Sequence, residues 1–120
     1  MEKSAPLKQG GSMTFTVNDN IWQLQFVKPN SRYLMRSDNS ITLGMTDNNV
    51  KTVYINNRLN DYMKDKVLCH ELTHVFAFEF DYYMDIDTEE IVADFMSLYG
   101  RDIVYLLDDL IKVIKKAYIA

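Results

Sequence analysis

The sequence predicts an α+β fold in which a small sheet of three to four strands, antiparallel or mixed, packs on two long helices. Two observations lead to this class. Apolar and polar residues alternate through much of residues 13–55, and from about residue 57 the apolar residues recur at helical spacing. The chain has 120 residues, nearly half of them apolar, which suffices for one domain with its own core.

The strand pattern falls into short segments separated by turn residues. Residues 14–17 and 21–27 alternate on either side of an Asn-Asp-Asn turn signal. Residues 41–45 and 50–55 flank an Asp-Asn-Asn signal, which predicts a hairpin. We therefore expect mostly antiparallel strands.

Two helices follow the strands. Asn57 or Asn60 can cap a first helix that runs to about Phe80. Asp87 is a good cap for a second helix over residues 88–118, with a bend near Gly100.

The first twelve residues differ from the rest. They combine Pro, Gly, Ser and Lys and end in Gly-Gly-Ser before Met13. We interpret residues 1–12 as a flexible tail, or as added residues ahead of a native start at Met13, and residues 13–120 as the single domain. The tail is expected to rest on the sheet edge or on a neighbouring chain.

Composition limits the function classes. Cys69 is the single cysteine, so no disulfide forms within the chain, and we expect a reducing cytosolic setting. No apolar run has the length of a signal peptide or a membrane span. The net charge of −4 argues against direct nucleic-acid binding. Three lysines near the C-terminus are expected to complement the helix dipole in water: Lys112, Lys115 and Lys116.

Residues 70–74 read His-Glu-Leu-Thr-His, and His70 and His74 are the two histidines of the chain. Residues four apart on a helix lie on the same face, so both imidazoles can hold one metal ion at about 2.0–2.1 Å. Glu71 lies beside that ion, where it can act as a general base. The spacing predicts a Zn²⁺ site.

A catalytic zinc usually has three protein ligands, so a third is needed. Cys69 points about 100° away from His70 on the same helix, which leaves a carboxylate. We choose Glu90 over Glu89 because Asp94 lies one turn after Glu90 and can accept the free N–H of a ligating histidine. The alternative for Glu90 is a capping box with Asp87.

The His-Glu-Leu-Thr-His stretch, followed sixteen residues after His74 by Glu90-Ile91-Val92-Ala93-Asp94-Phe95, resembles the gluzincin pattern. It is similar in particular to the small ImmA/IrrE-type metallopeptidases of phages and mobile elements, over roughly residues 41–105. The resemblance implies a minimal zincin fold, with His70, His74 and Glu90 as zinc ligands and Glu71 as general base. It also implies a substrate of the helix-turn-helix repressor type.

We therefore expect a zinc-dependent endopeptidase whose substrate binds in extended form along the edge strand 50–55. A tyrosine is the expected donor to the oxyanion, and the candidates are Tyr82, Tyr83 and Tyr99. Two alternatives remain open. One is a zinc-stabilised module that binds a protein partner without cleaving it, and the other is a metal-dependent hydrolase of a small substrate. The oligomeric state is not predicted.

Overall fold

A computed structural model describes the backbone of residues 11–119 and the side chains of residues 11–117. The strands are β1 (Ser12–Val17), β2 (Asn20–Val27), β3 (Gly44–Asp47) and β4 (Thr52–Asn56). The helices are α1 (Asp61–Glu79), α2 (Ile86–Phe95) and α3 (Arg101–Ile119), and a π-helical turn at Met96–Gly100 joins the last two. A short 3₁₀ turn lies at Arg32–Leu34. The predicted α+β class is confirmed.

The strands form one mixed sheet in the order β1-β2-β4-β3. β1 and β2 form a hairpin whose two turn residues, Asn18 and Asp19, both have positive φ. Such a turn matches the natural twist of the strands, and Asn and Asp tolerate it better than most residues do. β2 pairs with β4 in parallel, while β3 and β4 are antiparallel. The sheet is therefore mixed.

The prediction that residues 50–55 form the sheet edge is wrong. β4 lies between β2 and β3, and all five of its residues are buried. A strand covered on both faces carries a near-continuous apolar run, which fits Val53-Tyr54-Ile55. The edge strand next to α1 is β3.

The caps of the helices differ in part from those predicted. Asn60 caps α1 by accepting a hydrogen bond from the Met63 amide. Asp85, and not Asp87, caps α2, accepting from the amide and the hydroxyl of Thr88. The second helical run therefore starts two residues earlier than predicted, and the capping box with Glu90 does not form. A π turn at Met96–Gly100 lies where we expected a bend.

The core lies between the sheet and α1. It is built from Val17, Trp22, Leu24, Val53, Ile55 and Val75. The end of α1 is fixed to the β1–β2 hairpin by Glu79, whose carboxylate accepts from Trp22 Nε1 at 2.7 Å and from Asn20 Nδ2 at 2.5 Å. Lys51 Nζ lies 3.1 Å from the same carboxylate. These contacts fix the direction of α1 relative to the sheet.

The start of the domain is described only from residue 11. Ser12, which we placed in the tail, belongs to β1, and the carbonyl of Gly11 accepts from the Phe26 amide at 2.8 Å. Our expectation for residues 1–10 lies outside the described residues. Within the described part of the chain, no helix is both long and apolar enough to cross a membrane.

Candidate metal centre

The candidate site lies between α1 and the helical run that starts with α2. Small residues let the two come close. Ala93 is fully buried on α2, and Gly100 is buried in the π turn. The Cys69 thiol on α1 donates to the Met96 carbonyl at 3.5 Å, so it points to the π turn and away from the site. This packing brings the start of α2 against the histidine face of α1.

Three side chains converge there. Nε2 of His70 and Nε2 of His74 are 3.2 Å apart. The Glu90 carboxylate bridges them, with Oε2 3.2 Å from the His70 nitrogen and Oε1 2.9 Å from the His74 nitrogen. Among the described residues, this trio is the group of His, Cys, Asp and Glu that could hold a metal ion.

The other nitrogen of each ring meets a carboxylate. Nδ1 of His70 lies 2.9 Å from Oδ1 of Asp94. Nδ1 of His74 lies 2.6 Å from Oε2 of Glu89. A carboxylate facing Nδ1 favours the tautomer in which Nδ1 carries the proton. Both Nε2 atoms then present lone pairs to the same point as Glu90. Three electron-pair donors facing one another favour a cation between them.

The size of the trio fits zinc. In a tetrahedral site with bonds of about 2.0–2.1 Å, neighbouring ligand atoms are roughly 3.3 Å apart. The two Nε2 atoms of His70 and His74 are 3.2 Å apart, and each lies 2.9–3.2 Å from one of the two carboxylate oxygens of Glu90. Two imidazoles and one carboxylate also suit zinc better than the oxygen-preferring Mg²⁺ or Ca²⁺. The chemistry and spacing of the donors therefore fit a three-ligand zinc site.

Glu71 is held in place by the edge strand. Thr46 Oγ1 on β3 lies 2.8 Å from Glu71 Oε1 and 3.2 Å from the Glu71 carbonyl oxygen. A hydroxyl has one proton, so the shorter bond to the carboxylate is the one we assign. Oε2 of Glu71 remains available for proton transfer.

Gly44 allows β3 to lie close to α1. A Cβ atom at Gly44 would lie 2.7 Å from Cγ1 of Val67 and 3.2 Å from Oε2 of Glu71. A Cβ atom there would therefore force Val67, Glu71 or β3 itself to shift. Glycine at position 44 permits the close approach of strand and helix.

The environment shifts the acidity of Glu71. Burial raises the pKa of Glu71, and the negative charge of Glu90 raises it further. The Thr46 hydrogen bond and the two histidines act in the opposite direction without cancelling the rise. A carboxylate with a raised pKa takes a proton from water more readily, which suits a general base.

The site opens into a cleft of about 1030 Å³. One wall is β3 with the residues before it, and the other is α1 with the start of α2. Apolar side chains and two cationic ones line it together with the site residues, among them Met35, Arg36, Leu43, Met45, Met63, Lys66, Phe78 and Ile86. The cleft is large enough for several residues of an extended peptide.

The structure brings together His70, Glu71, His74, Glu90 and Asp94. It does not bring the tyrosines to them. Tyr82, Tyr83 and Tyr99 are 70 %, 90 % and 51 % exposed, and they are not among the residues that line the cleft.

Sequence reasoning missed two site residues. We chose Glu90 over Glu89 as the ligand and gave Glu89 no part in the site, but its carboxylate contacts His74. The available clue in the sequence was that Glu89 is adjacent to the predicted ligand Glu90. Thr46 gave no signal, because its role depends on the pairing of β3 at the sheet edge.

These features define a small α+β domain with a two-histidine, one-carboxylate metal site and a buried carboxylate beside it. A model of the peptidase M78 family, described as the IrrE N-terminal-like domain, matches residues 31–106. This is more than half of the chain, and the chain belongs to this family. The resemblance to ImmA/IrrE-type metallopeptidases is thereby confirmed. No curated protein and no solved structure matches the chain significantly.

Proposed function

We propose that the chain is a zinc-dependent endopeptidase that hydrolyses a peptide bond in a protein substrate. The observation that carries this proposal is the placement of Glu71, which Thr46 orients at the wall of the cleft that contains the converging histidines. A site that used zinc only for stability would gain nothing from this carboxylate, and structural zinc sites are usually closed by four protein ligands. Membership of the peptidase M78 family supports the same function.

The chemistry divides between the ligands and the base. His70, His74 and Glu90 would hold zinc, which when bound supplies a Lewis acid that polarises the substrate carbonyl and makes water acidic enough to attack near neutral pH. Glu71 takes the proton of the attacking water on Oε2, because Oε1 accepts the Thr46 hydrogen bond. It then delivers that proton to the nitrogen of the leaving amine.

The cleft supports a peptide as the substrate. β3 is an edge strand, and Gly44, Met45 and Thr46 line the cleft. An extended peptide can add to such an edge through main-chain hydrogen bonds. The apolar residues that line the cleft favour an apolar substrate side chain next to the cleaved bond.

We further propose that the substrate is a regulatory protein of a phage or mobile element, such as a repressor. This rests on the resemblance to ImmA/IrrE-type proteins. The peptidase chemistry can be tested without knowing the natural substrate, because a mixed peptide library contains many cleavable sequences.

The test incubates the zinc-loaded chain with a peptide library made from a digested proteome and identifies new termini by mass spectrometry. We expect cleavage that a chelator abolishes and that Glu71→Gln reduces at least ~100-fold with zinc content unchanged. Asp61→Asn is the control, because Asp61 is exposed in the first turn of α1. A zinc-loaded chain that produces no new termini, or one that Glu71→Gln leaves fully active, would contradict the proposal. The first of these results would favour a zinc-stabilised binding module.

A further inference from the structure

The cleft beside the metal site carries two positive side chains that the peptidase chemistry does not use. Lys66 lies on α1, Arg36 follows the 3₁₀ turn, and both line the cleft. Among the described residues, neither of them forms an ion pair. Nζ of Lys66 instead lies 4.6 Å from the centre of the Tyr62 ring. Cations placed in this way can bind an anionic group of a ligand.

The acidic side chains around these cations have other partners. Oδ1 of Asp38, two residues after the arginine, accepts from the amide of Ser40 at 2.9 Å and from its hydroxyl at 2.6 Å. Asp94, which also lines the cleft, faces Nδ1 of His70 at 2.9 Å. The charges of the two cations are therefore free to meet a ligand that enters the cleft.

β3 runs along α1 in the same direction as the helix. The start of the strand lies beside Val67, because a Cβ atom at Gly44 would be 2.7 Å from Cγ1 of that valine. Two residues later, Thr46 bonds to Glu71, one turn further along α1. Thr46 also lines a smaller pocket together with Phe78, which lies two further turns along α1. The cleft therefore has one end at the start of both elements and the other end near Phe78.

Both cations lie towards the first of these ends. Lys66 precedes His70 by four residues, so it lies one turn, about 6 Å, before that histidine on the same face of α1. Arg36 lies before β3, at the base of the loop 36–40. The start of α2, with Asp87, lies instead beside the second histidine. The cleft is therefore basic at the end where α1 and β3 begin and acidic at the metal site and beyond it.

We propose that Arg36 and Lys66 form a basic subsite that binds an acidic side chain of the substrate. The inference rests on the proposed peptidase function. An extended peptide that adds to β3 in the antiparallel direction, the more stable pairing, runs towards the start of the strand. The substrate residues after the cleaved bond therefore reach the basic subsite. At about 3.3 Å per residue, a separation of about 6 Å places the acidic residue two to three positions after the cleaved bond.

The first experiment incubates the zinc-loaded chain with the digested-proteome library and counts the residue types at each position around every cleaved bond. We expect Asp and Glu two to three positions after the cleaved bond at ~3–10-fold above their frequency in the library, the effect of one or two exposed ion pairs. The preference should weaken in about 0.5 M salt, because salt screens exposed charges.

Charge reversal tests whether these two residues carry the preference. Arg36→Glu/Lys66→Glu should change the preferred residues at the same positions from Asp and Glu to Lys and Arg. Lys66→Arg keeps the charge and should keep the natural preference. The control Arg58→Glu/Lys64→Glu makes the same change in charge at residues that do not line the cleft, and it should also keep the natural preference. Zinc content and circular dichroism establish that each variant is folded.

The second experiment measures binding without cleavage. The zinc-loaded Glu71→Gln variant is immobilised and incubated with the same library, and the retained peptides are identified by mass spectrometry. We expect the retained peptides to be enriched in Asp and Glu. The enrichment should be lost when Arg36→Glu/Lys66→Glu is added to this variant.

The outcomes separate this inference from the proposed function. Cleavage without an acidic preference, or a preference that the double reversal leaves unchanged, would overturn the basic subsite and leave the peptidase function standing. A preference before the cleaved bond would overturn the antiparallel direction. A chain that cleaves nothing but retains acidic peptides through Arg36 and Lys66 would support the subsite and contradict the peptidase function. Retention that is independent of peptide charge would overturn the subsite in either case.

Discussion

Nδ1 of His74 lies 2.6 Å from Oε2 of Glu89, while Nε2 of the same ring lies 2.9 Å from Oε1 of Glu90. Two adjacent glutamates therefore contact opposite sides of one imidazole. Glu90 meets the nitrogen that faces the metal position, and Glu89 meets the nitrogen that fixes the tautomer and orientation of the ring. Mutation of Glu90 is expected to remove a zinc ligand, whereas mutation of Glu89 is expected to remove the residue that orients His74.

The first prediction concerns these orienting carboxylates. Glu89→Ala should weaken zinc binding ~10–100-fold, because His74 loses the acceptor that orients it. Asp94→Asn should weaken it less, because the side chain of Asp94 is 69 % exposed against 15 % for Glu89 and water can replace part of its contact. Competition with a chromogenic chelator measures both affinities.

Asp87→Ala is the matched control for Glu89→Ala, since it also removes one negative charge from the first turn of α2. It should change the affinity no more than ~2-fold. An equal loss in Asp87→Ala and Glu89→Ala would mean that overall charge matters and the contact with His74 does not.

The second prediction concerns Thr46. Thr46→Val keeps the shape of the side chain but removes the hydrogen bond to Glu71 Oε1. Proteolysis should fall about 10-fold in kcat with zinc affinity unchanged, because the base loses its orientation and the ligands do not. Thr46→Ser retains the hydroxyl and should retain most of the activity. Wild-type kcat in Thr46→Val would show that Glu71 needs no support from β3.

The third prediction concerns the contact between β3 and α1. Gly44→Ala should reduce the free energy of unfolding by ~1–3 kcal/mol, because the new methyl group would lie 2.7 Å from Cγ1 of Val67. Urea unfolding measures this change. In a Val67→Ala background the same substitution should cost clearly less, since the clashing methyl groups are gone. Equal costs in both backgrounds would place the strain elsewhere.

The fourth prediction concerns pH and Glu79. Burial alone raises the pKa of Glu79, but hydrogen bonds from Trp22 and Asn20, together with Lys51, outweigh it and lower the pKa. A lowered folded-state pKa means that the ionised group stabilises the fold above its unfolded-state pKa of about 4.3. This stabilisation is lost as the pH falls through the folded-state value.

This contribution of Glu79 is tested by unfolding the natural chain and the Glu79→Gln variant at several pH values. Both proteins are measured with chelator present. The difference in unfolding free energy should be about 1–3 kcal/mol near pH 7 and should shrink below about pH 4.3. Asp61→Asn, at an exposed position, should give a small difference at every pH. A Glu79→Gln difference that grows in acid would show that the sign of the pKa shift is wrong.

The features predicted correctly from the sequence are those set by local periodicity. The four-residue spacing of His70 and His74 places both rings on one helix face, and the same rule placed Asp94 one turn after Glu90. The rule failed for Glu89. Adjacent helical residues diverge by about 100°, but a glutamate side chain is long enough to reach the far side of a ring that its neighbour contacts.

The sheet edge was missed for a different reason. The parallel pairing of β2 with β4 joins segments far apart in the chain, and alternation within each segment carries no information about partners. The buried run in β4 was the available clue to a central strand. The start of α2 was misplaced because Asp85 and Asp87 are both good caps, and the side chain of Thr88 decides between them by bonding to Asp85.

The central claim is that His70, His74 and Glu90 hold one zinc ion, and zinc affinity tests it most directly. Zinc titration of the metal-free chain against a competing chelator should give one site per chain. His74→Ala and Glu90→Ala should each weaken binding by at least ~1000-fold, more than the ~10–100-fold expected when an orienting residue is lost. Glu71→Gln should bind as the natural chain does. A Glu90→Ala variant with wild-type affinity, or a natural chain that binds no zinc, would contradict the account.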